Sequence, residues 1–146
     1  MSQDTVRPKT LSLIIKNQTS EIARMSLWLT GSLGRCGLSR EMQFKFDLCA
    51  NEAVTNIISY GYPRGGEHDI NLQLQVETDS AILTIEDDGI AFNPTENPAH
   101  VQPESLQEAK VGGLGIDLIR HYMDQVCYRR TAGLNRLSMQ MKLAES

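Results

Sequence analysis

FKFDLCANEAVTNIISYGY, Phe44 to Tyr62, is an apolar helix carrying two polar residues that packing does not require. On a wheel of about 100° per residue, Phe46, Cys49, Ala50, Ala53 and Ile57 share one narrow arc at the i, i+3, i+4, i+7 spacing of a core stripe. Glu52 and Asn56, one turn apart, share a second face directly beside it, at the edge of the core. A partly desolvated carboxylate there suits proton abstraction, and a carboxamide offers an oxygen ligand to a hard cation. Taken alone, a Glu/Asn pair at this spacing is most often a solvated helix face, so its meaning depends on what the rest of the chain brings to it.

Moving N-terminally, Ser39 followed by Glu41 and Met42 marks where this helix begins. Before it, Ile22, Met25, Leu29 and Leu33 keep helical spacing until Gly34 and Gly37. Asn17, Thr19 and Ser20 are candidate N-caps for that first helix, with Glu21 in its first turn. LSLIIK, Leu11 to Lys16, reads as a strand with Leu11, Leu13 and Ile15 on one face.

Moving C-terminally, GYPRGGE stops the long helix. From His68 to Thr78, Ile70, Leu72, Leu74 and Val76 alternate with polar residues, the pattern of a strand with one buried face. After a turn at Asp79 and Ser80, AILTIEDDG places Ala81, Leu83, Ile85 and Asp87 on one face, so a carboxylate continues a core-facing row and needs a partner. Gly89 ends that strand. The span 93–111 holds three prolines and little periodicity beyond a short helical stretch near Glu104 to Ala109, which marks a functional loop or a disordered one. Gly112, Gly113 and Gly115 then lead into a helix with Ile116, Ile119, Tyr122 and Met123 inward. Free N–H groups there favour an anion such as phosphate, although a glycine-rich turn by itself is more often a plain loop. QVCYRRTA and RLSMQMKLA close the chain as a hairpin, with its turn expected at Gly133 to Asn135.

The 146 residues are a single-domain length, and 40% apolar with 22% charged residues describe a globular protein. A formal charge of -4 leaves no footprint for nucleic acid or an anionic membrane. The three cysteines, Cys36, Cys49 and Cys127, form no CxxC pair and suggest neither a disulfide framework nor a zinc site. Without a secretory signal or an apolar run of roughly 18 residues, a cytoplasmic location is expected.

A helix with Glu52 and Asn56, a strand ending in Asp87-Asp88-Gly89, and a glycine-rich segment opening onto a helix follow one another in order. That order resembles the Bergerat-type (GHKL) ATP-binding domain of gyrase, MutL and histidine kinases. Within that superfamily the chain is most similar to the small bacterial anti-sigma-factor serine/threonine kinases. NEAVTN followed by YGYP resembles their N box, IEDDGIAFNP the first glycine box and GGLGIDLIRHYMD the second.

The resemblance spans 1–146 as one domain and implies an α/β (α+β) two-layer sandwich, with a mixed, mostly antiparallel sheet on one side and helices on the other. It implies ATP and Mg²⁺ as cofactors. Glu52 is then the general base, Asn56 the magnesium ligand and Asp87 the acceptor for the adenine amino group. Gly89 is the box glycine, Gly113 and Gly115 are phosphate-side glycines, and about 94–111 is an ATP lid. The implied protein partners are a STAS-domain antagonist that is phosphorylated and a sigma factor that is sequestered, and family members are often homodimers. Ala91, where many members have a second glycine, and Tyr60, where a histidine is frequent, depart from the pattern. A nucleotide-gated binding module without phosphotransfer, or a slow ATP hydrolase, would use many of the same residues.

Overall fold

In the computed structural model, residues 8–91 and 114–143 are described. The elements run β1 (Lys9–Lys16), a 3-10 turn (Thr19–Glu21), α1 (Ile22–Arg35), α2 (Arg40–Tyr60), β2 (Asp69–Val76), β3 (Ser80–Asp87), α3 (Leu114–Tyr122), β4 (Gln125–Thr131) and β5 (Leu134–Lys142). The five strands form one open sheet in the order β1-β2-β3-β5-β4. Where a mixed, mostly antiparallel sheet was expected, every described pairing is antiparallel.

One face of the sheet carries the core. Ile70, Leu72, Leu74 and Val76 of β2, Ala81, Leu83 and Ile85 of β3, and Leu137, Met139 and Met141 of β5 are buried in the alternation that a one-sided sheet demands. Against them lie Met25, Leu29 and Leu33 of α1, the predicted Phe46–Cys49–Ala50–Ala53 stripe of α2, and Ile119 of α3. Each large side chain so buried contributes about 1.5–3 kcal/mol. The outer face is polar, with Arg136 paired to Glu86 at 2.6 Å and the Thr84 and Ser138 hydroxyls 3.2 Å apart.

The helix ends are locally encoded. Gly37, at φ 89°, ends α1: its N–H bonds the Gly34 carbonyl and the Leu38 N–H bonds that of Leu33, both at 3.0 Å, the Schellman arrangement. Ser39 caps α2 by accepting the Met42 N–H at 3.2 Å. The predicted caps of α1 are not used. The 3-10 turn precedes the helix, and Asn17 instead bridges to the α2–β2 loop, accepting the His68 N–H and donating to the Gly66 carbonyl.

The C-terminal hairpin turns two residues long at Ala132 and Gly133, whose φ values of 55° and 79° are both positive. Asn135, expected in the turn, lies in β5 directly opposite Asp87. No described helix is long and apolar enough to cross a membrane.

Candidate functional site

Asn56 and Asp87 are two of the four buried polar residues of the described chain, at 8% and 5% exposure, and both line one pocket. Ala53, Ile57 and Gly61 form its α2 side, Ile85 its β3 side, Ile119 its α3 side, and Tyr128, Asn135 and Leu137 its β4–β5 side. The void measures about 30 Å³.

Asn56 arrives there because its face of α2 borders the core stripe, as the wheel predicts. Its carboxamide bonds no described residue and reaches the pocket instead. Glu52, one turn earlier, is half-buried and likewise makes no hydrogen bond or ion pair with a described residue. Its charge adds to burial in pushing the Cys49 thiol up to about 12, so that cysteine is an inert core side chain. The set at Asn56 suits an ion of the magnesium kind, which takes few protein oxygens and keeps phosphate and water ligands. Among the described residues no cluster of three or more His, Cys, Asp or Glu forms an all-protein cage.

Asp87 ends the core-facing row of β3. Its Oδ1 accepts the Gly89 N–H at 2.8 Å and the Asn135 amide at 3.0 Å. Burial raises its carboxyl above the ordinary range, and those two bonds partly offset the rise. Gly89 has no side chain because none fits: a Cβ would lie 2.6 Å from the Gly61 carbonyl, which also accepts the Ile90 N–H. The turn after β3 is thereby docked on the end of α2.

Two groups escaped the sequence reading. Asn135 is 6% exposed, and Arg130 donates to it at 3.1 Å and to the Gly89 carbonyl at 2.7 Å. Carrying the Leu137–Met139–Met141 alternation back by two residues would have placed Asn135 on the core face. Tyr62 stacks on His68 with ring centroids 4.1 Å apart, and its hydroxyl donates to Asp88 at 2.9 Å. The interval between Tyr62 and Asp88 hid that contact. Tyr60 is exposed and does not line the pocket. Ala132 is the one described non-glycine residue with positive φ, so Ala91 keeps an ordinary backbone. Gly115 is the second residue of α3, while Gly113 and the expected lid at 94–111 lie outside the described residues.

The profile of the histidine kinase-like ATPase domain matches residues 15–141, from the end of β1 through β5. The chain belongs to that family. Its relatives include the serine/threonine-protein kinase BtrW of Bordetella bronchiseptica, 35% identical over 77% of this chain and 79% of that protein. The serine-protein kinase RsbW of Staphylococcus epidermidis is 29% identical over 77% of this chain and 74% of its own. RsbW of Listeria innocua is 26% identical over 80% and 76%. The histidine kinase-like ATPase match takes in Glu52, Asn56, Asp87 and Gly89, and it also takes in Asn135.

Proposed function

We propose that this chain is an ATP-dependent protein serine/threonine kinase of the anti-sigma-factor type, acting in the cytoplasm on a small STAS-like antagonist and sequestering a sigma factor. The observation that carries the reading is the pairing on α2: Asn56, buried in the pocket with no described hydrogen-bond partner, and Glu52 one turn before it, equally unengaged. Two neighbouring polar side chains at the edge of the core that no described residue hydrogen-bonds are open to a ligand. Relatives named as serine-protein kinases support the choice of chemistry.

In this reading Asp87 accepts the adenine amino group, Gly89 lets the strand end approach α2, and Gly113 and Gly115 lie on the phosphate side. Asn56 holds Mg²⁺, which when bound neutralises phosphate charge. Glu52 takes the proton from the partner's Ser or Thr hydroxyl as that oxygen attacks the γ-phosphorus, the bond to the bridging oxygen breaks, and ADP leaves. The resemblance that supplies these roles also supports a homodimer of this chain as the acting form.

The test uses Glu52→Gln, close to isosteric and still able to hydrogen-bond. Labelled-phosphate transfer to the captured partner should fall about 10²–10⁴-fold, with ATP and partner binding near wild type. Transfer by the variant at the wild-type rate would remove Glu52 as the base. A wild type that binds MgATP and partner without transfer would make the chain a nucleotide-gated binding module.

A further inference from the structure

The side-chain amide of Asn135 is oriented by its surroundings. Nδ2 faces three acceptors: Asp87 Oδ1 at 3.0 Å, the Ile90 carbonyl at 2.9 Å and the Gly89 carbonyl at 3.4 Å. Oδ1 faces two donors, the Tyr128 hydroxyl and Arg130 Nη1 at 3.1 Å. A flipped amide would set its oxygen against the three acceptors and its nitrogen against the donor-only Arg130, and the Tyr128 hydroxyl, which can rotate, fits the orientation these four groups require. With its hydrogens already engaged, Asn135 has none to offer a base and acts through Asp87.

We propose that Asn135 is a positioning residue for nucleobase choice: together with the Gly89 N–H it occupies Oδ1 of Asp87, leaves Oδ2 as the accepting oxygen, and so makes the site select a purine with an amino group at position 6. The inference rests on Asp87 being the base-facing acceptor. An ionised carboxylate accepts only. It receives an amino N–H and repels a carbonyl oxygen at the same position, whereas a protonated one can donate to that carbonyl. Selectivity therefore depends on keeping Asp87 ionised, and the Asn135 amide is the largest group acting against the effect of burial. The charged and titratable groups around Asp87 are Asp88 beside it, Arg130 and Tyr128 from β4, Tyr62 and His68 from the α2–β2 loop, and, across the neighbouring cleft, Lys16 with its partners Glu67 and Asp69. Arg130 supports ionisation, and Asp88 opposes it.

The experiment measures ATP and inosine triphosphate affinity by calorimetry for the full chain, between about pH 5 and about pH 8. The two ligands share the triphosphate, so its own titration cancels in their ratio. Wild type should prefer ATP by at least about tenfold, and Asn135→Ala should narrow that preference about tenfold. The preference collapses as pH falls through the Asp87 pKa, and the collapse should begin at higher pH in the variant. If Asn135→Ala does not fold, Tyr128→Phe, which deletes one donor to the Asn135 oxygen, carries the test with a smaller shift in the same direction. Equal weakening toward both ligands, with the pH profile unmoved, would make Asn135 a structural residue and overturn the proposal alone. Wild type that binds neither nucleotide would overturn the ATP-site reading and this inference together.

Discussion

Asp87 is where fold and proposed chemistry conflict. Burial lifts its carboxyl above the ordinary value of 3.8, so the folded state holds its proton more tightly than the unfolded chain does. Folding stability from this group is accordingly present at low pH and lost as pH rises through the raised pKa. Asp87→Asn keeps an acceptor for Gly89 and Asn135 and removes that cost, so the variant should be no less stable than wild type at neutral pH. Its ATP affinity should nevertheless fall by about 1–3 kcal/mol, because an amide nitrogen can meet the adenine amino group donor to donor. Thermal melts and calorimetry on the same sample separate the two effects. Unchanged affinity would remove Asp87 from the site.

Between elements, the decisive contact is the turn after β3 against the end of α2. Gly89 is required there by proximity rather than by backbone conformation, since a Cβ would stand 2.6 Å from the Gly61 carbonyl and 3.0 Å from Asp87 Oδ1. Gly89→Ala must push the turn away from α2, breaking the 2.9 Å bond from Ile90 N–H to Gly61 and disturbing the Asp87 carboxylate. Overpacking of this kind costs about 1–3 kcal/mol. Urea denaturation should show the loss as a lower midpoint with unchanged slope, and a variant as stable as wild type would mean that the turn yields freely. Tyr62, stacked on His68 and bonded to Asp88, braces the same junction from outside.

For the whole molecule, the first strand is fastened to the helical layer by a carboxylate shifted the other way. Glu21 accepts the Lys16 N–H at 2.8 Å and a fork of bonds from Arg24, which also donates to the Ile14 carbonyl at 2.8 Å. Arg24 foremost, then the Lys16 N–H, hold its carboxyl down at about 2. The folded pKa is below the unfolded one, so this stabilisation is complete above about 4.5 and is lost as pH falls toward 2. Glu21→Gln should melt below wild type at neutral pH, and the gap should close on acidification through that window. A gap independent of pH would show that the charge of Glu21 does not secure the strand.

The sequence determined those features whose cause is local or periodic. The α2 stripe, the Ser39 cap, the Gly37 stop, the alternation of β2 and β3, and the inward position of Asp87 each follow from spacing along one element, because helix and strand periods fix which side chains share a face. Glu52 and Asn56 were legible as a pair for the same reason, and the roles proposed for them come from the family resemblance. The tertiary structure decided whatever depends on register between distant strands. Asn135 stands opposite Asp87 because β3 and β5 pair with those residues aligned and because the hairpin turns at Ala132 and Gly133 instead of at Gly133 to Asn135. Arg130, Tyr62 and the close approach of Gly89 to Gly61 likewise join residues 26 to 41 positions apart. Such contacts leave no periodic trace in the chain; they exist because burying both faces of one core brings the ends of separate elements within hydrogen-bonding distance.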